Sequence, residues 1–269
     1  MEDGQNLLGG DRMVNKSYFP SEFNLEGKTA VVIGGTGSIG TEISSILFHY
    51  GANVVSASKS AVEKKINERH IILQLDATRE KSINVLYNKI IDVYKRLDIL
   101  IMANGIQHRE PFLNLSLDNW EKVIENNLTS AFLLCKHLTK SMIENNDGRI
   151  IGITSLTSEI GIKNISAYSA SKGGMSQFLK SISSELINYN ITVNMIAPGR
   201  IKTSMTSDLS KKTSIENSIK NRIPLGRFGL PSEISGAVLF LASSYSNYMT
   251  GQSIIIDGGW LASGGNIPA

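Results

Sequence analysis

The sequence predicts a single α/β domain of the doubly wound type, with a parallel sheet of seven strands and helices on both faces. Short β-branched runs alternate with amphipathic segments at the spacing of β–α–β units. A glycine-rich turn, Gly34–Gly40, joins the first strand to the first helix. The chain has 269 residues, 41% of them hydrophobic, and no break in composition, which is enough for one large core.

The elements follow in chain order. Residues 1–24 are polar and without periodicity, so we expect a flexible N-terminal arm before a domain that spans residues 25–269. Strands are predicted at residues 29–33, 53–57, 71–75, 97–102, 149–154, 191–196 and 253–256. Helices are predicted from the glycine turn to Tyr50 and at residues 61–67, 78–96, 117–145, 166–189 and 231–242. Residues 199–222 are polar and serine-rich, which predicts a mobile segment with helical pieces.

Composition excludes several classes of function. The net charge is only +3 and the basic residues are scattered, so no nucleic-acid partner is expected. No apolar run approaches the roughly 20 residues of a membrane span, and no signal-peptide pattern opens the chain, so a cytoplasmic location without a membrane partner is expected. The single cysteine, Cys135, fits a reducing compartment. The four histidines lack metal-ligand spacing, so no metal site is predicted.

Three residues together indicate a type of reaction. Tyr168 and Lys172 stand four positions apart and share a face of the predicted helix at residues 166–189. A nearby ammonium favours the phenolate, so we expect Lys172 to lower the pKa of Tyr168. Ser155 ends a buried strand, at the sheet edge where ligands bind. Together these groups suit proton transfer at a carbonyl or alcohol oxygen, although a lone Tyr-x-x-x-Lys pattern is more often an exposed helical pair.

The glycine turn supplies the context that this pattern needs. Gly35-x-Gly37-x-x-Gly40 between a strand and a helix is typical of a loop that holds a dinucleotide pyrophosphate on a helix N-terminus. The second strand ends in Ser58-Lys59 rather than in an acid, which favours the 2′-phosphate of NADP, with NAD as the alternative. Asp76 ends the third strand. It is placed either to contact the adenine edge of the coenzyme or to act as a helix N-cap before Ala77.

These motifs stand in the order of the short-chain dehydrogenase/reductase family, which the chain resembles over about residues 25–262. The resemblance rests on the glycine loop, Asp76, Ala103-Asn104-Gly105, Asn127, Ser155, Tyr168 with Lys172, and Pro198-Gly199 with Thr203. It implies a single Rossmann-type domain, hydride transfer to or from a nicotinamide, and a small-molecule substrate. It also implies a catalytic tetrad of Asn127, Ser155, Tyr168 and Lys172, in which Asn127 holds a water of the proton relay.

The resemblance also implies the coenzyme contacts. They are Gly34, Thr36, Gly37, Ser38, Ile39, Gly40, Ser58, Lys59, Asp76, Ala77, Asn104, Gly105, Tyr168, Lys172, Pro198, Gly199, Ile201 and Thr203. The chain departs from the family pattern in two motifs. In the glycine loop Ile33 replaces a threonine and Ser38 replaces a glycine, and the usual Asn-Asn-Ala-Gly reads Met102-Ala103-Asn104-Gly105, which leaves Ala103 as a further departure. A homotetramer is implied as well, paired through the helices at residues 117–145 and 166–189 and through the final strand.

Within the family, residues 105–112, 155–161 and 256–261 look like gluconate 5-dehydrogenases and 2-deoxy-3-ketogluconate 5-dehydrogenases. Residues 222–229 look equally like 3-oxoacyl-carrier-protein reductases. We therefore expect an oxidoreductase of a sugar acid or polyol, with an acyl-thioester reductase and a catalytically silent NADP-binding sensor as alternatives. The expected substrate contacts are Ser155, Tyr168 and Arg109, whose guanidinium would grip a carboxylate unless it is simply a solvated loop arginine.

Overall fold

The structure is a computed structural model that describes residues 21–206 and 213–264. Its strands are β1 (Thr29–Ile33), β2 (Asn53–Ser58), β3 (Lys64–Asn67), β4 (His70–Gln74), β5 (Ile99–Met102), β6 (Gly148–Ile153), β7 (Ile191–Pro198) and β8 (Ser253–Ile256). Its helices are α1 (Ser38–His49), α2 (Glu80–Tyr94), α3 (Leu117–Ile124), α4 (Ser130–Leu138), α5 (Lys140–Glu144), α6 (Ser166–Leu186), α7 (Thr213–Lys220), α8 (Ser232–Ala242) and α9 (Trp260–Ser263). The doubly wound α/β fold class is confirmed.

The sheet has eight strands rather than the predicted seven. Their order is β3-β4-β2-β1-β5-β6-β7-β8, and every pair except β3–β4 is parallel. The extra strand β3 replaces the helix predicted at residues 61–67, which was wrong. Only residues 59–69 connect β2 to β4, too few for a crossover helix with its two turns, since such connections need about a dozen residues or more. The chain instead turns back as a short antiparallel edge strand.

Two hydrophobic layers cover the sheet. Along β1, Val31 and Ile33 point to one face and Ala30 and Val32 to the other, as the two-residue period of a strand requires. The first layer packs β1, β2, β5, β6 and β7 against α2, α4 and α6. The second packs the opposite face against α1 and α8. This double coverage explains why the central strands are almost entirely apolar.

The long helix predicted at residues 117–145 is divided into three pieces. A single wide π-turn, Glu125–Thr129, separates α3 from α4. Thr139 then ends α4, and its hydroxyl donates to the carbonyl of Cys135 at 2.8 Å. Wide turns of this kind are frequent at functional sites. Here the wide turn carries Asn127, whose side chain is buried.

Ordered contacts reach into the predicted N-terminal arm. Ser21–Phe23 forms a short 3-10 helix, and the ring of Phe23 lies 4.7 Å from that of Tyr245, centroid to centroid. Residues 1–20 of the arm lie outside the described residues, as do residues 207–212 of the predicted mobile segment. In the rest of that segment, Ser204–Thr206 forms a 3-10 helix and Thr213–Lys220 forms α7. Over the two described ranges, no helix is long and apolar enough to cross a membrane.

The glycine turn requires glycine at specific places. Gly34 has φ +80°, and a Cβ there would lie 2.9 Å from the backbone of Ala103 and Asn104. A Cβ on Gly40 would overlap the carbonyl oxygen of Gly34. These two positions therefore let α1 and the loop after β5 approach β1 closely, which closes the turn tightly over the sheet edge.

We predict that Gly40→Ala destabilises the apo protein by about 1–3 kcal/mol, because α1 must move away from the Gly34 carbonyl. Urea unfolding followed by circular dichroism measures this. The matched control is Gly236→Ala in the exposed part of α8, where a Cβ meets no atom within 4 Å. That control should gain about 0.4–1 kcal/mol. Equal stabilities of the two variants would contradict the packing argument.

Candidate active site

A cavity of about 460 Å³ lies at the carboxyl ends of the parallel strands, within the size range of small-molecule sites. Polar and glycine residues from the loops that follow β1, β2, β4, β5, β6 and β7 line it. Every predicted coenzyme contact is in this lining: Gly34, Thr36, Gly37, Ser38, Ile39, Gly40, Ser58, Lys59, Asp76, Ala77, Asn104, Gly105, Tyr168, Lys172, Pro198, Gly199, Ile201 and Thr203. Ser155 lines it too, whereas Asn127 and Arg109 do not.

One end of the cavity meets the N-terminus of α1. Gly37 is the N-cap residue and no side chain caps the first turn, so the leading N–H groups of α1 have no side-chain acceptor. The Thr36 and Ser58 hydroxyls hydrogen-bond each other at 2.6 Å beside this turn. Backbone donors at a helix N-terminus suit an anionic group such as a pyrophosphate. The residues present therefore fit a dinucleotide.

Lys59 and Asp76 form an ion pair at the same end of the cavity. The Lys59 ammonium lies 2.8 Å from Asp76 Oδ2, and this hydrogen bond lowers the pKa of Asp76 to about 2. Asp76 Oδ1 accepts hydrogen bonds from the Thr78 backbone N–H and hydroxyl. Asp76 therefore caps the turn that leads to α2 and also lines the cavity, so both interpretations of this residue remain compatible with its position.

Ser155 and Tyr168 meet at the other end. The Tyr168 side chain reaches the cavity but lies deep among protein atoms, and burial raises its pKa above the ordinary value. A hydrogen bond with Ser155 and the positive charge of Arg200 oppose that rise. The expected lowering of the Tyr168 pKa by Lys172 is wrong for this structure, because Lys172 is not among the groups that shift it and burial outweighs the effects of Ser155 and Arg200.

Lys172 is a buried cation on α6, one helical turn after Tyr168. Its Nζ donates to the carbonyl of Ile153 at 2.8 Å and lies 6.0 Å from the centre of the Tyr168 ring. Burial lowers the pKa of this ammonium to about 8. Near neutral pH the cavity thus contains a cation whose one hydrogen-bond acceptor among the described residues is the Ile153 carbonyl, so it can donate to further oxygen atoms.

Asn127 holds the loop after β5 rather than facing the cavity. Its Oδ1 accepts from the Ile106 N–H at 2.8 Å, and its Nδ2 donates to the Ile106 carbonyl and to the Ser171 hydroxyl, both at 2.9 Å. A Cβ on Gly105 would lie 3.2 Å from Asn127 Oδ1 and 3.4 Å from Lys172 Nζ. Asn127 therefore links the loop, the π-turn and α6 immediately behind Lys172.

The cavity lining contains a different arginine from the one that the sequence predicts. Arg109 has an exposed side chain, and the pair beside it is His108–Glu110 at 2.9 Å. Its role as a substrate contact stays a prediction. Sequence reasoning missed Arg200, which lines the cavity with Tyr168. Its position between Gly199 and Ile201, both identified as coenzyme contacts, was the available signal.

Chemically, the cluster combines a phenol, a serine hydroxyl and a buried ammonium around one open space. Such a set can hold a carbonyl or alcohol oxygen and exchange a proton with it. Across residues 21–206 and 213–264, no group of three or more histidine, cysteine or acidic side chains could hold a metal ion.

Comparisons with known proteins agree with this geometry. A family model described as enoyl-(acyl carrier protein) reductase matches residues 34–261. The 3-oxoacyl-[acyl-carrier-protein] reductase of Aquifex aeolicus is 36% identical, over 88% of this chain and 99% of the relative. The 2-dehydro-3-deoxy-D-gluconate 5-dehydrogenase of Escherichia coli is 34% identical, over 90% of this chain and 98% of the relative.

Solved structures of dehydrogenases are similar to this chain as well. A gluconate 5-dehydrogenase from Burkholderia cenocepacia, in complex with NADP and tartrate, is 27% identical with a TM-score of 0.83, over 90% of this chain and 98% of that one. Fold and site together define an oxidoreductase that acts on CH–OH groups. The chain belongs to the short-chain dehydrogenase/reductase family.

We predict that Asn127→Ala abolishes slow hydrogen exchange at the Ile106 amide, because this N–H loses its acceptor. It should also lower the free energy of unfolding by about 1–3 kcal/mol, since buried partners are left unpaired. Hydrogen exchange read by NMR provides the measurement.

The control is Asn126→Ala, because the Asn126 side-chain amide donates only to the Lys122 carbonyl four residues earlier among the described residues and not to the loop after β5. Unchanged protection of Ile106 in the Asn127 variant would show that this link does not hold the loop.

Proposed function

We propose that the chain is an NADP(H)-dependent dehydrogenase that interconverts a secondary alcohol and a ketone on a sugar acid or polyol. The observation that carries the proposal is the convergence of Ser155, Tyr168 and Lys172 at one end of the cavity, whose other end meets a helix N-terminus fit for a dinucleotide. Several relatives are named as dehydrogenases of gluconate or 2-dehydro-3-deoxy-D-gluconate, which supports the substrate class.

The coenzyme would lie along the predicted contacts. The pyrophosphate would meet the N-terminus of α1, and Ser58 with Lys59 would face the adenosine ribose, where a 2′-phosphate suits a hydroxyl and an ammonium. Lys172 would bind the nicotinamide ribose, with Ile201 and Thr203 near the carboxamide. When bound, the nicotinamide supplies the hydride acceptor or donor.

The side chains would move the proton. The Tyr168 hydroxyl would donate to the ketone oxygen during reduction and accept from the alcohol during oxidation, while the Ser155 hydroxyl holds that oxygen in place. The Ser155 hydrogen bond and the Arg200 charge, which oppose the rise in the pKa of Tyr168, would stabilise negative charge on its oxygen during transfer. Asn127 would hold the loop after β5 against α6 and so keep Tyr168 and Lys172 in place.

A second function has a specific observation in its favour. The Aquifex aeolicus 3-oxoacyl-[acyl-carrier-protein] reductase is slightly more similar in sequence than the gluconate dehydrogenase relatives above. An acyl-thioester reductase would use the same four residues. A silent NADP-binding sensor is disfavoured, because a sensor needs no buried Ser155–Tyr168–Lys172 cluster. Turnover of 5-ketogluconate, fructose and a 3-oxoacyl thioester with both coenzymes separates the three functions.

We further propose a homotetramer that acts in the cytoplasm. Large apolar side chains stay exposed near α3 and α4, including Phe112, Leu117 and Phe132, and others lie exposed near the last strand, including Tyr248 and Ile255. Burying them against other copies would be favourable. Light scattering at micromolar concentration should give the mass of four chains, and a stable monomer would contradict the proposal.

Tyr168→Phe removes the proton donor but leaves the ring in place. We predict at least about a hundredfold loss in kcat, since positioned acid–base groups contribute about 10²–10⁴-fold. Steady-state kinetics with NADPH and 5-ketogluconate provides the measurement, and Tyr189→Phe on an exposed side chain is the control. Near-normal turnover of the Tyr168 variant would remove this residue from the mechanism.

Lys59→Ala should raise the apparent KM for NADPH by about tenfold and change that for NADH little, because a charge-assisted contact to the 2′-phosphate is lost. Removing Lys59 also leaves Asp76 unneutralised, and its carboxylate would repel that phosphate. Lys64→Ala on the exposed strand β3 controls for net charge. The inference fails if NADH supports turnover by the native enzyme as efficiently as NADPH does, or more efficiently.

A further inference from the structure

The backbone holds Arg200 at the end of the cavity that contains Ser155 and Tyr168. The preceding Gly199 lies so close to the strand end that a Cβ would come 2.6 Å from Asp257 Cα. The Gly199 N–H donates to the Ile256 carbonyl at 2.8 Å, and the Arg200 carbonyl accepts from the Gly229 N–H at 2.8 Å. The loop therefore has little freedom at this point, and the Arg200 side chain lines the same cavity as Tyr168 and Ser155.

Among the described residues, no acidic side chain acts on the charge of Arg200. In the described part of the chain its Nε is buried without a hydrogen-bond partner, and the charges that act on it are Arg109, Tyr168 and Arg222. Burial lowers the pKa of this guanidinium, and the two other arginines lower it further. A cation placed deep among protein atoms without a carboxylate is costly, and an anion in the cavity would remove that cost.

A tryptophan compensates part of the cost. The Arg200 guanidinium carbon lies 5.9 Å from the centre of the Trp260 ring, and that of Arg222 lies 5.1 Å from the same ring. Trp260 is buried, and Asp257 fixes its turn by accepting from the N–H groups of Gly259 and Leu261. The two guanidiniums thus share one rigid aromatic surface, which keeps Arg200 in place while its hydrogen-bond donors remain available.

We propose that Arg200 binds the carboxylate of the substrate inside the cavity and is the residue that selects sugar acids over neutral polyols. The inference rests on the proposed function and names the contact that gives it its substrate class. Arg222 and the exposed Arg109 add positive potential around the mouth, while Arg200 makes the direct contact. A planar guanidinium suits this task because it can meet both oxygens of a carboxylate.

The position of Arg200 also bears on the runner-up function. A 3-oxoacyl thioester is uncharged next to its reacting carbonyl. Its acyl chain would cover the Arg200 guanidinium with apolar atoms and leave the Nε buried and unpaired, which is unfavourable. A carboxylate a few carbons from the reacting alcohol avoids this penalty.

The test measures binding without turnover. NADPH and gluconate form no productive pair, because both are reduced, so calorimetry of the NADPH-saturated protein measures affinity for the acid directly. The native protein should bind gluconate much more tightly than glucitol, which carries CH₂OH in place of the carboxylate. Arg200→Met should weaken gluconate binding by about 100-fold and leave glucitol unchanged, as expected when one partner of a buried charge pair is removed.

Two further variants sharpen the result. Arg200→Lys should restore part of the lost affinity, since it returns the charge without the planar fork. Arg109→Met should weaken gluconate binding much less than Arg200→Met does, because the Arg109 side chain is exposed and does not line the cavity. NADPH affinity, measured in parallel, should stay within a few fold of native in each variant and also reports correct folding.

Three outcomes overturn the inference. They are equal native affinity for gluconate and glucitol, full gluconate binding by Arg200→Met, and a parallel loss of NADPH affinity, which would make Arg200 a coenzyme contact. Failure of the proposed function gives a different result. If the native protein binds gluconate through Arg200 but oxidises no sugar acid with NADP, the carboxylate site stands and the reaction assigned to it does not.

Discussion

The site depends on one constraint, which is that parallel strands in register end at the same edge of the sheet. Ile33 of β1 pairs with Met102 of β5, and Met102 pairs with Gly152 of β6. Ile153 in turn pairs with Ile196 of β7. Four loops distant in sequence therefore leave the sheet side by side. The cavity that they enclose needs no further device to bring Gly34, Asn104, Ser155 and Gly199 together.

At the end of the cavity that contains Tyr168, two cations are held in different ways. Lys172 is partnered by the Ile153 carbonyl, while Arg200 rests near Trp260 with a buried Nε that has no partner among the described residues. A fully partnered cation would be a structural residue. These two retain unused donors that face an open cavity, so they favour ligands with anionic or oxygen-rich groups. Asn127 and the π-turn hold Lys172 in place, and the Gly199 segment holds Arg200 in place.

Much of this could be predicted from the sequence because it follows from local rules. Two-residue and 3.6-residue periods predicted the central strands and helices, and the glycine turn with Ser155, Tyr168 and Lys172 predicted the cavity. The helix at residues 61–67 was wrong because the length of the connection, rather than propensity, decides what fits between β2 and β4. The π-turn at Asn127 lies inside a continuous helical pattern and leaves no sequence signal.

Electrostatic properties were harder to predict, since they depend on how deeply each side chain is buried. The pKa of Tyr168 rises because burial outweighs its neighbours, and sequence spacing alone cannot weigh those effects. Arg109 attracted attention through the motif around it, yet Arg200 lines the cavity. Arg200 and Arg222 meet at Trp260, and Arg109 acts on the charge of Arg200; only the folded chain brings these groups together.

The central claim is that hydride and proton transfer to a sugar acid take place at this sheet edge. The most direct measurement uses NADPH deuterated at both C4 positions, with 5-ketogluconate as the acceptor and mass spectrometry and NMR of the product. The account predicts one deuterium on the carbon that was the ketone, and at least about a hundredfold less labelled product when Tyr168→Phe replaces the native enzyme over the same time. Product formed without deuterium at that carbon, or no reduction of the keto acid alongside ready reduction of a 3-oxoacyl thioester, would contradict it.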